Sequence, residues 1–323
     1  MLTKETFTSW AIELGFSDVG FCLPERFNIA KQIVESQEPL SERKQLRFDP
    51  EEDHIQIKSL AVLLWPYLPS GIHGEDTVAV DSYYAASNAA YHAARQLEAK
   101  VLESGCFAKA NVPYPAKEAA IRAQMGIIGK NSLLITPQYG TRVVIILMAT
   151  DIELPTGDHN QFHHKTCLEC GRCSKACPVG AITEQGMIHP ERCLRNFMME
   201  GIVVPEHFRK KIAMRLIGCD ICQRACPMQP EINEATREKY NLDDFMTDDP
   251  ALFSSAVLRL AEEIGRNAAR PQRVRAQAAL LAGNSKNTAY LPVLKQWAQM
   301  PFDAVREHAL WAIRQLEEEN TDT

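Results

Sequence analysis

No apolar run in this chain of 323 residues approaches the ~20 residues that a membrane-spanning helix needs. Val143–Ala149 is among the longest and reads as a strand. The opening MLTKETFTSW has neither the apolar stretch nor the cleavage site of a secretory leader. The expectation is a cytoplasmic protein with no membrane association. Basic charge is in deficit: 35 Lys and Arg stand against 41 Asp and Glu, a formal charge of −6. That excludes a general nucleic-acid coat and leaves room for a local basic patch. Compositional bias is also missing, since 46% hydrophobic and 24% charged residues rule out a disordered or collagen-like chain. Cysteine is scarce nearly everywhere, with only Cys22 and Cys106 outside the stretch Cys167–Cys226.

What is present divides the chain into three. Residues 1–155 mix helix-like and strand-like segments. Lys4–Leu14 and the alanine-rich Ser82–Leu102 have helical spacing, whereas Ser59–Leu64, Ser132–Ile135 and Thr141–Ala149 read as strands. This predicts an α/β or α+β domain with a central sheet. Residues 156–235 form the cysteine-rich block, rich in turns. Residues 236–323 begin with an acidic connector and continue as helix. There Val274-Arg275 with Ala278, and Val305-Arg306 with Ala309 and Ala312, share one pattern. Two such helices joined by a third suggest a short HEAT-like repeat.

Eight of the ten cysteines fall in the middle block. Such density in a large chain with no leader points to metal rather than disulfides. Cys167-x2-Cys170-x2-Cys173-x3-Cys177-Pro178 has bacterial ferredoxin spacing, in which the fourth cysteine serves the other cluster. Cys219-x2-Cys222-x3-Cys226-Pro227 repeats the ending, and Cys193 supplies the missing early thiolate. The spacing therefore predicts two 4Fe–4S clusters, one on Cys167, Cys170, Cys173 and Cys226 and the other on Cys177, Cys193, Cys219 and Cys222. Structural zinc would give no reason for two C-x3-C-P endings. Cys22 and Cys106 read as ordinary thiols. A carrier alone needs neither the N-terminal nor the C-terminal mass, so a redox enzyme is expected.

These residues resemble the epoxyqueuosine reductase family. The resemblance is carried by Gly218-Cys219-Asp220-x-Cys222-Gln223-x-x-Cys226-Pro227 and Arg192-Cys193, and by Gly126-x-x-Gly129-Lys130-Asn131 with Pro137-x-x-Gly140. Arg47-x-x-Pro50, Tyr67-x-Pro69, Gly283-Asn284-Ser285 and the stretch around Val305–Ala312 extend it. It implies a cobalamin-dependent iron–sulfur reductase that converts epoxyqueuosine to queuosine in tRNA. Cobalamin contacts are expected from Arg47, Gly129, Lys130, Asn131, Gly140, Asp220 and Gln223, and electrons from an external donor.

Departures from the family pattern gather at its expected active site. The family's proton-donor aspartate falls at Ala110, the aspartate of its D-Y-H element at Ala90, and its Gly-Glu pair at Ile146-Leu147. Three readings stay open: reduction of another substrate, a substitute donor such as Tyr114, His92 or Lys117, or a non-catalytic electron-transfer or corrinoid-handling protein. His159, His163 and His164 read as loop histidines, and the Gly126–Asn131 turn lacks the length of a P-loop. Arg259, Arg266, Arg270, Arg273, Arg275, Lys286 and Lys295 offer a basic face for an RNA backbone, with a solvated helical face as the alternative. A monomer is expected.

Overall fold

The computed structural model describes residues 2–37, 46–50, 57–69, 77–154, 167–230 and 240–319. The N-terminal part is built from α1 (Lys4–Glu13), β1 (Asp18–Cys22), α2 (Asn28–Glu35), β2 (Ser59–Pro66), β3 (Thr77–Val80), α3 (Ser82–Glu103) and β4 (Ala108–Ala110). It continues through α4 (Ala116–Arg122), β5 (Ile127–Ile128), β6 (Leu134–Ile135) and β7 (Val143–Thr150). The main sheet has the order β1-β2-β7-β4, and each neighbouring pair is antiparallel, Leu63 facing Ile146 and Ala110 facing Met148. The expected central sheet is thus of the α+β kind, with no parallel crossover.

Both faces of that sheet are covered, which explains why β2 reads as an unbroken apolar run rather than an alternating one. Ala61, Leu63, Val144, Ile146 and Met148 pack with Phe7 of α1 and Ala90, Ala94 and Leu97 of α3. Leu60, Val62, Leu64, Leu147 and Ala149 point the other way, onto Ala119 and Ala120 of α4. Asp81 caps α3 by accepting from the Tyr83 N–H at 3.0 Å.

The cysteine block contributes α5 (Arg172–Ala176), α6 (Leu194–Glu200), α7 (Glu206–Arg209), β8 (Arg215–Ile217) and α8 (Ile221–Arg224), followed by β9 (Tyr240–Asn241). β3 leaves the main sheet and pairs with β8 and β9 instead, in the order β8-β3-β9. This small sheet delivers the chain into Cys219. Gly218 holds a left-handed φ of 86°, and a Cβ there would lie 2.5 Å from the Asp81 Cβ, so only glycine lets the strand pass the start of α3.

The tail is α9 (Pro250–Ile264), α10 (Pro271–Ser285), α11 (Leu291–Trp297) and α12 (Asp303–Glu319). Asp249 and Pro250 open α9 as cap and first residue. The residues of the shared pattern, Val274, Ala278, Val305, Ala309 and Ala312, are all buried. They belong to one apolar core that also holds Val80, Phe197, Leu216 and Ile217, so tail and cysteine block share their interior. His308 fastens this junction. Its Nε2 accepts from the Val204 N–H at 2.9 Å, and its Nδ1 lies 2.9 Å from the Ala276 carbonyl. Nδ1 therefore carries the proton, and burial pushes the ring's pKa down to about 4. The expected boundaries at 155/156 and 235/236, and His159, His163 and His164, lie outside the described residues.

Candidate functional site

All ten cysteines are free thiols. Two groups of four emerge from the block. Cys173, on α5, and Cys226 lie within electrostatic reach of each other and of Cys167 and Cys170; burial pushes both thiols up and the neighbouring sulfurs add to it. Cys222, on α8, feels Cys219, Cys193 and Cys177, and burial raises Cys222 strongly and Cys219 to about 11. The Ala181 N–H donates to the Cys177 Sγ at 3.3 Å. A buried thiol ionises only where positive charge replaces its proton, which iron supplies. Among the described residues, no three Cys, His, Asp or Glu side chains converge tightly enough to share a single ion. A cubane spreads its ligands over four iron corners, so its thiolates need not converge on one point as those of a tetrahedral zinc do.

The first group faces a shallow cleft, whose opposite wall is Gly129, Lys130, Asn131 and Ile135. The short β5–β6 hairpin holds this wall in place, and Ser132 ties it to the cysteine block by donating to the Gly186 carbonyl at 3.0 Å. Asn131 is 2% exposed and its Nδ2 has no hydrogen-bond partner.

Beside the second group, the side chains of Lys117 and Arg195 keep exposed surface although protein crowds both, which marks a recess there. Desolvation lowers the Lys117 pKa, whereas Tyr84 raises that of Arg195 against the cost of burial. Lys117 feels Arg195, Cys222 and Cys193, and its Nζ donates to the Ser132 carbonyl at 2.5 Å. Arg195 sits over the rings of Tyr83 and Tyr84, at 5.6 and 5.9 Å from their centroids. Asp81 completes this lining; burial first, then Asp220, raises its pKa to about 6.

The residues expected to touch cobalamin divide differently. Gln223 is 6% exposed and spent on the fold, its amide hydrogen-bonded to the Tyr67 hydroxyl at 2.8 Å and the Thr141 carbonyl at 2.9 Å. Gly140 lies under Met228 and Gln229, where a Cβ would come within 2.5 Å of the Met228 oxygen. Asp220 is ion-paired with Arg224 at 2.7 Å. Gly129, Lys130 and Asn131 line the cleft of the first group. Arg47 is exposed, its N–H donating to the Pro113 carbonyl at 3.1 Å.

Two candidate donors need correction. Tyr114 is buried in the apolar cluster beneath α4, stacked on Phe27 with ring centroids 6.1 Å apart. His92 is exposed on the side of α3 away from the sheet, its ring against Tyr91. Lys117 alone of the three reaches the cysteines. Ala110 and Ala90 are buried with Ile146 in one apolar cluster, and the Ala110 N–H donates to Glu98 at 3.2 Å. The basic tail does not form one open face either. Arg259 pairs with Asp244, Arg273 donates to the Asn267 and Ala268 carbonyls, Arg275 lies over Phe253, and Lys295 pairs with Glu317. Arg195 escapes a reading by motif, because it lies far along the chain from Asp81 and Tyr83, which only the fold brings beside it. The aromatic pair Tyr83-Tyr84, one residue beyond Asp81, is the one local signal.

Comparison with known proteins agrees with this geometry. Residues 166–229 match the 4Fe-4S double cluster binding domain. The chain is 30% identical over 205 residues to the epoxyqueuosine reductase of Lactococcus garvieae, covering 61% of this chain and 57% of that protein. It is 28% identical over 216 residues to that of Bacillus subtilis, covering 62% and 53%. In sequence, then, it spans little more than half the length of these relatives. Three solved structures share the fold. They are epoxyqueuosine reductase from Streptococcus thermophilus (TM-score 0.77, 21% identity, 98% of this chain and 91% of that one) and from B. subtilis with its catalytic aspartate loop swung out of the active site (0.76, 23%, 97% and 90%). The third is an epoxyqueuosine reductase with an epoxyqueuosine-modified tRNA-Tyr stem loop (0.74, 24%, 97% and 90%). No helix among the described residues is long and apolar enough to cross a membrane. A double 4Fe–4S domain set in this fold, with sequence similarity over a stretch much longer than that domain, relates the chain to the epoxyqueuosine reductases.

Proposed function

We propose that the chain is a cobalamin-dependent iron–sulfur reductase of the epoxyqueuosine reductase type, acting in the cytoplasm as a monomer. The observation that carries this reading is the recess beside the second cysteine group, into which Lys117 and Arg195 bring positive charge. Cys167, Cys170, Cys173 and Cys226 hold one 4Fe–4S cluster, and Cys177, Cys193, Cys219 and Cys222 hold the other. The recess fits a corrin: it offers an aromatic wall at Tyr83 and charge at Lys117 and Arg195, next to the second cluster. When bound, cobalamin supplies a strongly reducing, nucleophilic cobalt. The chain's own residues orient the substrate and supply protons. Lys117 Nζ is the group placed to give one, and its lowered pKa makes it a stronger acid than an ordinary lysine.

The substrate by kinship is epoxyqueuosine in tRNA. The apolar packing of Ala90, Ala110 and Ile146 favours a second reading, in which another substrate is reduced or the protein only handles electrons or corrinoid. Contact with tRNA through the tail rests on Arg266 and Arg270, which are exposed. The HEAT-like reading rests on the similarity of α10 and α12. One experiment separates these readings: anaerobic reconstitution with iron, sulfide and cobalamin, a spectrum, then assay on tRNA carrying epoxyqueuosine. Turnover is expected for the family reaction. Corrin binding without turnover points to a different substrate, and iron without corrin absorbance points to an electron carrier.

A further inference from the structure

We infer that the side-chain amide of Asn131 hydrogen-bonds a sulfur of the first 4Fe–4S cluster and raises that cluster's reduction potential. The inference rests on the proposed assignment of Cys167, Cys170, Cys173 and Cys226 to one cluster. Asn131 sits at the tip of the β5–β6 hairpin, a tip closed by the Gly129 N–H donating to the Leu133 carbonyl at 2.9 Å and the Ser132 N–H donating to the Gly129 carbonyl at 2.8 Å. The Leu133 N–H donates to Asn131 Oδ1 at 3.3 Å. That contact fixes which end of the amide is which, leaving Nδ2 as the donor that the loop does not use. Nδ2 is buried and has no acceptor, an arrangement that proteins rarely tolerate without a ligand or water.

The residue lines the same cleft as Cys167, Cys170, Cys173 and Cys226. A cluster held by those thiolates brings sulfur acceptors with partial negative charge to the wall that Asn131 forms. Gly129 is part of this design. A Cβ at that position would meet Asn131 Oδ1 at 2.9 Å and Ile135 Cδ1 at 2.7 Å, so glycine is what allows the amide to fold over the loop. The reduced cluster carries one more negative charge than the oxidised one. An N–H donor therefore stabilises the reduced form more, and the potential rises. Asn131 is thus a tuning residue for electron uptake rather than a corrin contact.

The test uses the full chain reconstituted anaerobically, with iron counted first and each cluster's midpoint then read by redox titration with electron paramagnetic resonance. Asn131→Asp keeps an acceptor for the Leu133 N–H and removes the donor; Asn131→Ala removes both. With iron unchanged, each variant is expected to lower one midpoint by about tenfold in the one-electron equilibrium, ~59 mV. The affected signal should be the one that Cys170→Ala abolishes. Wild-type protein carrying 15N in its asparagine side chains is expected to show a weak 15N coupling to that reduced cluster. The inference is overturned by unchanged midpoints at full iron content, by a shift in the other cluster, or by no 15N coupling in wild type. Failure of the cluster assignment would show separately, as about four irons per chain instead of eight.

Discussion

The first cysteine group opens to solvent at Cys170, whereas burial holds Cys219 and Cys222 well above an ordinary thiol pKa. The first is built from one short loop and helix plus Cys226. The second draws Cys193 from the start of α6, Cys219 from the end of β8 and Cys222 from α8. A cluster at the surface has its charge screened by water. A buried one depends on fixed charges, and here Lys117 and Arg195 stand beside it. On the proposed cluster assignment, the difference suits a relay in which electrons arrive at the cluster that Cys170 opens to solvent and leave from the one beside Lys117.

Breaking the inner group should have the largest effect. Cys222→Ala is expected to remove about half of the iron and to cost more thermal stability than Cys170→Ala, because α8 and β8 lose a shared anchor. Iron per chain and melting temperature check this, and equal losses of stability in the two variants would remove the contrast. Next comes the recess. Lys117→Met should leave iron intact and slow turnover of the accepted substrate by roughly 100-fold or more, read in an anaerobic single-turnover assay.

The junction of cysteine block and tail tests a third buried site by pH. The folded state depresses the His308 pKa from 6.5 to about 4, so between those values the unfolded chain binds the extra proton. Stability from this ring is complete above pH 6.5 and falls as pH drops toward 4, by up to about 3 kcal/mol. Arg209 beside it deepens the shift. Urea unfolding from pH 7 to pH 4 measures the slope, and His308→Gln should flatten it. The smallest effect is expected at Tyr67. Tyr67→Phe removes the hydroxyl that bonds Gln223 of the cysteine block and should cost about 1 kcal/mol; an unchanged urea midpoint would show that Gln223 needs no such partner.

Legibility in sequence followed distance along the chain. Cys167, Cys170 and Cys173 announce themselves because a cubane needs thiolates with two residues between them, and the loop leading into α5 provides that spacing locally. The helices of the tail and the strands β2 and β7 were equally readable, since their apolar patterns are local. Whether the expected corrin contacts serve a ligand is a different matter, because a motif cannot say whether its polar groups face a ligand or each other. Gln223 and Gly140 illustrate this: both are consumed in joining the main sheet to the cysteine block. Arg195 carries no motif, and only the fold brings it over Tyr83.

The sequence alone determined the chemistry that the chain can host. Eight cysteines at ferredoxin spacing admit two clusters, and the scarcity of cysteine elsewhere leaves those thiolates no competing partners of their own kind. The tertiary structure decided where that chemistry is exposed. It crowded Cys219 and Cys222 with protein and left Cys170 open to solvent, turned Tyr114 into the core and His92 to the surface, and brought Lys117 to the recess. Ligand identity depends on residue type and spacing, which a sequence displays, whereas solvation, charge and proton access depend on what folds against each residue from far along the chain.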